Sequence, residues 1–237
     1  MYSQVMGWIR YLLYFLGIVL VTWLLTQSEI WSPGSLKLHV ITSDSDQFGT
    51  SEFSPIEIIQ PLLLAVCGLM MGWVAKYCPS QRPIAIPFGG IALAAMFREL
   101  DYFLDRNVIV NLWQVLVAVV VALIIVYTYR QQRRLRIALA RLWPSPSLAL
   151  LFAGAVILFG FVQLVGHEPL WMALLGDDYR RIVKLAVEEF IELIGYFFWV
   201  IGTIEYAYQA RAIAYREPQL AAQRLREKRR HEQEGRY

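Results

Sequence analysis

Residues 108–129, VIVNLWQVLVAVVVALIIVYTY, carry no charged side chain from end to end. A helix of that length rises about 33 Å, enough to cross a hydrocarbon core about 30 Å thick. Inside a bilayer each peptide N–H and C=O must find its partner within the protein, so a spanning segment is a helix or part of a closed barrel. The apolar residues gather in long runs and do not alternate, which selects the helix. Runs of similar character lie at 8–26, 58–76, 84–104, 148–165 and 185–207. The sequence therefore predicts an all-α polytopic membrane protein, a bundle of six transmembrane helices. The third run qualifies only if Arg98, Glu99 and Asp101 lie inside it. Its uninterrupted apolar part, Ile84 to Phe97, is too short to cross alone.

Orientation follows from the tendency of Lys and Arg to stay on the cytoplasmic side. With the amino terminus inside, sixteen of the 22 basic residues fall on cytoplasmic pieces, among them Arg130, Arg133, Arg134, Arg136 and Arg141 and a basic stretch from Arg211 onward. Both termini are expected in the cytoplasm. The chain divides into a six-helix membrane domain, residues 1–210, with an external loop at 27–57, and a basic cytoplasmic tail, residues 211–237. Basic residues that flank spans answer to a membrane surface and not to nucleic acid. Membrane lipids, and other subunits of a membrane complex, are the expected partners.

Several classes are excluded or unsupported. The first run follows Arg10 as a secretory signal would, but it is long for one, and VTWLLTQS lacks a small-x-small cleavage site. Two cysteines, Cys67 within a span and Cys78 at its cytoplasmic flank, give no disulfide framework. No zinc pattern, phosphate-binding loop, nucleophile elbow or dinucleotide fingerprint occurs. In the external loop, SLKLHVIT alternates like a short strand, and Ser54-Pro55-Ile56-Glu57 reads as a capping box. RQQRRLRIALARLWPSP sets leucines against arginines at helical spacing, the pattern of an interfacial amphipathic helix. Pro87-Phe88-Gly89-Gly90 is expected to interrupt the third span, and a separate helix is expected after Pro218.

The sixth run, KLAVEEFIELIGYFFWVIGTIEYAY, departs from the others by carrying Glu188, Glu189, Glu192 and Glu205. A charge at the bilayer centre costs at least about 2.5 kcal/mol, so an intramembrane acid marks a functional site whose partner should be sought. Counting about 1.5 Å per residue, Glu188 and Asp101 both lie about 5 Å below the outer surface, and Glu192 and Arg98 about 9 to 10 Å below it. Asn111 and Gln114 fall in the same layer. The inner halves of the spans read as almost wholly apolar. Gly195 and Gly202 continue the Glu188 and Glu192 stripe and predict close approach of a neighbouring helix. Contact between the third and sixth spans through Arg98, Asp101, Glu188 and Glu192 is the expectation.

The candidate binding residues are thus Arg98, Glu99, Asp101, Asn111, Gln114, Glu188, Glu189 and Glu192. Oxygen ligands suit a divalent cation, and Asp101, Glu188 and Glu192 with His167 make a candidate metal set. A buried glutamate also carries protons, and Arg98 suits an anionic headgroup. Equal weight belongs to a structural network that fastens helices together. Glu57 reads as a cap, His167 as an interfacial residue, and Glu205 as a partner of Arg211 or of headgroups. The tryptophans near span ends read as interfacial anchors.

E-E-F-I-E-L-I-G at 188–195, together with R-E-x-D at 98–101, resembles segments of uncharacterised bacterial polytopic membrane proteins. That resemblance implies a bacterial cytoplasmic membrane and carries no activity. Intramembrane hydrolases of the ceramidase kind build their metal site on several histidines, and this chain has only His39, His167 and His231. Three functions remain: binding of a cation, proton or lipid headgroup by the outer polar cluster within a transport or envelope complex; a non-catalytic scaffold or accessory subunit; and a metal-dependent lipid hydrolase or transferase. No residue is assigned a catalytic role, and the balance leans away from an enzyme.

Overall fold

A computed structural model describes the backbone of residues 2–36 and 55–234, with side chains described for 7–36, 55–216 and 219. Every regular element among these residues is helical. Residues 37–42 of the expected alternating segment, Ser54 of the expected capping box and most tail side chains lie outside the described residues, while Ser35 and Leu36 at the start of that segment lie in a turn. Nine α-helices are described: α1 (Tyr2–Trp31), α2 (Pro55–Tyr77), α3 (Arg82–Glu99), α4 (Asp101–Asn107), α5 (Leu112–Leu142), α6 (Pro146–Val156), α7 (Val162–Val165), α8 (Glu168–Leu175) and α9 (Arg181–Glu234). A π-helical turn, Ile157–Phe161, joins α6 to α7 into one run.

Four of these are long and apolar enough to cross a membrane: α1, α2, α5 and the run Pro146–Val165. A fifth arises if α3, with its preceding turn, and α4 count as one span, though the two are bent by 59° at Leu100. The expected interruption at Pro87 does not occur, for α3 runs through it. The break lies at Leu100, where the Asp101 carboxylate takes the Tyr102 N–H at 2.6 Å. A local side-chain acceptor of this kind competes with the helical ladder. The R-E-x-D sequence is therefore the corner itself and not a stripe along a straight helix.

The bundle is organised around α2 and α9. α2 packs on α3 on one side and on α9 on the other, while α9 also packs on α6. Small residues set these approaches. A Cβ on Gly154 would stand 3.0 Å from the Gly195 carbonyl oxygen and closer still to Trp199, and one on Gly202 would meet Leu151. The glycine stripe of α9 receives α6, as its spacing predicted. The main core runs through Leu64, Met71, Leu151, Leu158, Tyr196, Trp199 and Tyr206. A second patch at the other end joins Leu36, Ile56 and Leu193.

Two long helices exceed their expected spans. α5 is continuous from Leu112 to Leu142, about 46 Å, so the amphipathic segment is its extension and not a separate element. Ala138 and Leu142, in that extension, are buried with Ala210 of α9. α9 continues unbroken through Pro218 to Glu234, where a new helix was expected. α1 is the outlier. Apart from its two ends it makes little contact with the bundle, and its apolar side chains, including Leu13, Phe15 and Leu20, remain exposed.

Candidate functional site

The start of α2, the end of α3, the bent α4 and the start of α9 enclose an open cleft of about 860 Å³. Among its lining residues are Glu57, Glu99, Asp101, Asp105, Glu188, Glu189 and Glu192, against only Arg98 and Lys184 as cations. The corner at Leu100 creates it. A straight third span would carry Asp101 and Asp105 up alongside the bundle and leave no mouth.

Three hydrogen-bonded groups hold the acids in place. Arg98 reaches across from α3, its Nη2 lying 3.3 Å from Glu192 Oε1 and its Nε 3.9 Å from Glu99 Oε1. The Tyr196 hydroxyl donates to Glu99 Oε1 at 2.6 Å. On the opposite wall, buried Gln60 donates through Nε2 to Glu189 Oε2 at 3.0 Å. Near the mouth, Lys184 Nζ lies 3.0 Å from Glu188 Oε2, one turn along the same helix. The Arg98 side chain is 53% exposed, whereas those of Glu99 and Glu192 are 10% and 9% exposed. The carboxylates are wall groups, and the guanidinium sits over them at the opening.

Sequence depth thus brought six of its eight candidates to one place: Arg98, Glu99, Asp101, Glu188, Glu189 and Glu192 all line the cleft. Asn111 and Gln114 do not. Both are exposed, and Asn111 serves as the left-handed cap of α5 (φ 64°), its N–H bonded to Asp105 Oδ1 at 2.8 Å. The bend places the start of α5 outside the enclosure, which a straight count along the chain cannot register. The expected contact of R-E-x-D with the glutamate-bearing helix is present at Arg98 and Glu192 but differs in kind. α3 and α9 do not pack along their lengths, because α2 lies between them, and they meet through the Arg98 and Tyr196 side chains. Asp101 takes no part in that bridge; its carboxylate accepts the adjacent Tyr102 N–H in the first turn of α4.

The candidate metal set is not assembled. Among the described residues no three His, Cys, Asp or Glu side chains are placed to hold a metal ion. His167 is exposed at the start of α8, and Glu188 turns instead toward Lys184 and Gly166.

Sequence reasoning missed Tyr196, although the signal was present: it follows Glu188 and Glu192 at a spacing of four and so shares their face. It also read the other half of the bundle as almost wholly apolar, with Glu205 paired to Arg211 or headgroups, and the structure gives Glu205 a different partner. Glu205, its side chain 3% exposed, pairs with neither Arg211 nor solvent; Arg10 of α1 grips it, with Nη2 2.8 Å from Oε2 and Nε 2.6 Å from Oε1. The Tyr14 hydroxyl adds a bond to Glu205 Oε1 at 3.0 Å. Nearby, Tyr206 donates to the Gln81 carbonyl at 3.1 Å and Ser147 to Gln209 Oε1 at 2.8 Å. Comparison with protein-family models, with curated proteins and with solved structures finds no match to this chain.

Proposed function

We propose that this chain is a bacterial inner-membrane protein of six spans with both termini in the cytoplasm, whose outer cleft binds a cation, a proton or the cationic part of a lipid headgroup within a transport or envelope complex. The sixth span is the 185–207 part of α9, and the bent α3 and α4 make the third. One observation carries the binding reading. Seven carboxylates face two cations around an open space of about 860 Å³. Such a balance attracts positive charge, and low-dielectric walls strengthen the field inside.

Binding is tested by thermal unfolding of the purified full chain with sodium chloride, calcium chloride or tetramethylammonium chloride at matched ionic strength. A ligand at 100 times its Kd stabilises by about 2.7 kcal/mol. At least one probe is expected to raise Tm in the wild type and to lose that effect in Glu189→Gln. No shift with any probe in the wild type would sink the cation and headgroup forms of this reading, and a pH dependence of Tm identical in wild type and Glu189→Gln would sink the proton form.

The orientation is tested separately by impermeant thiol labelling of cells. A cysteine at Asp177 is expected to react from outside and one at Arg133 to be protected; native Cys67 and Cys78 are both buried and give little background. The reverse pattern would place the cleft in the cytoplasmic half.

A second reading rests on its own observation. Glu99, Glu188, Glu189 and Glu192 each already have a partner side chain. That completeness favours a scaffold or accessory subunit in which the cluster only fixes α2, α3 and α9. Under it, replacing Arg98 and Glu192 together by leucine leaves folding and assembly intact.

A further inference from the structure

At the opposite end of the bundle from the acidic cleft, the end of α5, the start of α6 and Phe88 of α3 border an open groove of about 770 Å³. Its walls are Leu139, Ala140 and Trp143 on one side and Leu148, Ala149 and Phe152 on the other. The polar group in that lining is already engaged, since Ser145 Oγ meets Ser147 Oγ at 3.1 Å and accepts from Leu148 N–H at 3.4 Å. The rest of that lining is apolar apart from the Trp143 indole at the mouth, so a hydrocarbon chain suits it and an aqueous solute does not.

The rim has a different character. From Arg130 to Arg141, α5 carries five arginines, and the helix has no carboxylate at all. At 100° per residue Arg136 falls on the face of Leu139, Ala140 and Trp143, about one turn back from the groove. It is exposed and has no acidic partner among the described residues. Trp143, 77% exposed at the groove mouth, has an indole N–H without an acceptor among the described residues, the placement of an interfacial tryptophan. An apolar slot with an unpaired guanidinium and an indole donor at its edge complements an acyl chain joined to a phosphate. Arg pairs with phosphate through two parallel N–H bonds.

We infer that this groove is a binding site for one anionic phospholipid of the adjacent leaflet, with an acyl chain between α5 and α6 and its phosphate on Arg136. The site is independent of the acidic cleft and stands or falls without it. A basic residue near the membrane surface favours an anionic lipid by about 1 kcal/mol, or about fivefold.

Native mass spectrometry of the detergent-solubilised full chain, supplied with equal amounts of dioleoyl phosphatidylglycerol and dioleoyl phosphatidylcholine, measures this directly. The wild type is expected to retain one phosphatidylglycerol about fivefold over phosphatidylcholine. Arg136→Ala should bring that ratio near one while some of either lipid is kept, and Ala149→Trp, which fills the groove, should displace both. Ala140→Trp repeats the filling from the facing wall, and an unchanged Tm identifies folded variants. Equal retention of the two lipids by the wild type, selectivity that survives Arg136→Ala, or full retention in a folded groove-filled variant would each overturn the inference.

Discussion

Two arginine–glutamate pairs hang on α9, one near each end of its apolar stretch, inner and outer in the proposed orientation, and they are built differently. At the inner pair, Glu205 is closed off, its side chain 3% exposed: Arg10, 37% exposed, donates to it from Nη2 and sets Nε 2.6 Å from its other oxygen, and Tyr14 supplies a second hydrogen bond. At the outer pair, Glu192 faces a cleft, and one nitrogen of a half-exposed Arg98 reaches it at 3.3 Å. The inner pair also connects α1, a helix that otherwise has little hold on the bundle. The outer pair joins helices already braced by α2. An enclosed pair fastens, because removing one partner strands a buried charge. A pair at the edge of a cavity leaves room for water or a ligand to take the missing partner's place.

The comparison breaks most readily at the inner site. Arg10→Leu is expected to destabilise the protein by about 2 to 3 kcal/mol, below the full figure for a stranded buried charge because Arg10 is itself 37% exposed and the Tyr14 hydroxyl still solvates the carboxylate. Replacing Glu205 by leucine in the same chain should recover much of that loss. Chemical unfolding in detergent micelles measures both, and protease access to α1 should rise in the single variant. A loss no greater than that of an exposed pair would mean that Glu205 is not enclosed.

At the outer site Arg98→Leu should cost less, about 1 to 2 kcal/mol. The same unfolding experiment checks it. From depth alone this substitution looks as damaging as removal of any buried partner; the 53% exposure of Arg98 and the open space beside Glu192 lower the figure. Losses of equal size at the two sites would abolish the distinction between a fastening pair and a cleft pair.

The smallest effect sharpens the outline of the cleft. Gln114 shared a depth with the cluster but is exposed on α5, so Gln114→Ala is expected to change stability by under about 0.5 kcal/mol and to leave any cation-induced Tm shift intact. A lost shift would extend the site to a helix that the bend at Leu100 places outside it.

The legible and illegible parts of the site divide along a physical line. Arg98, Glu99, Asp101 and the three glutamates of α9 were recognisable because charges inside apolar runs are rare and helical rise converts sequence position into depth. Gln60 and Tyr196 were harder to assign, since neither is costly enough in a membrane to stand out by type. Arg10 and Glu205 escaped for another reason. They are 195 residues apart, and each has an ordinary local explanation near a span end. Only their meeting makes them a site.

The sequence by itself determined the helical class of fold, through the length of its apolar runs, and the gathering of most of the acids at one end of the bundle, through the fixed rise of a helix. It determined the glycine face of α9 as well, because small residues at helical spacing leave one surface free for close approach. Tertiary structure decided the rest. It bent α4 from α3 by 59° at Leu100, set α2 between α3 and α9, and excluded Asn111, Gln114 and His167 from the cluster. Depth is a one-dimensional quantity that the chain carries along its length, whereas azimuth and neighbour depend on how several helices pack at once, and no single segment encodes that.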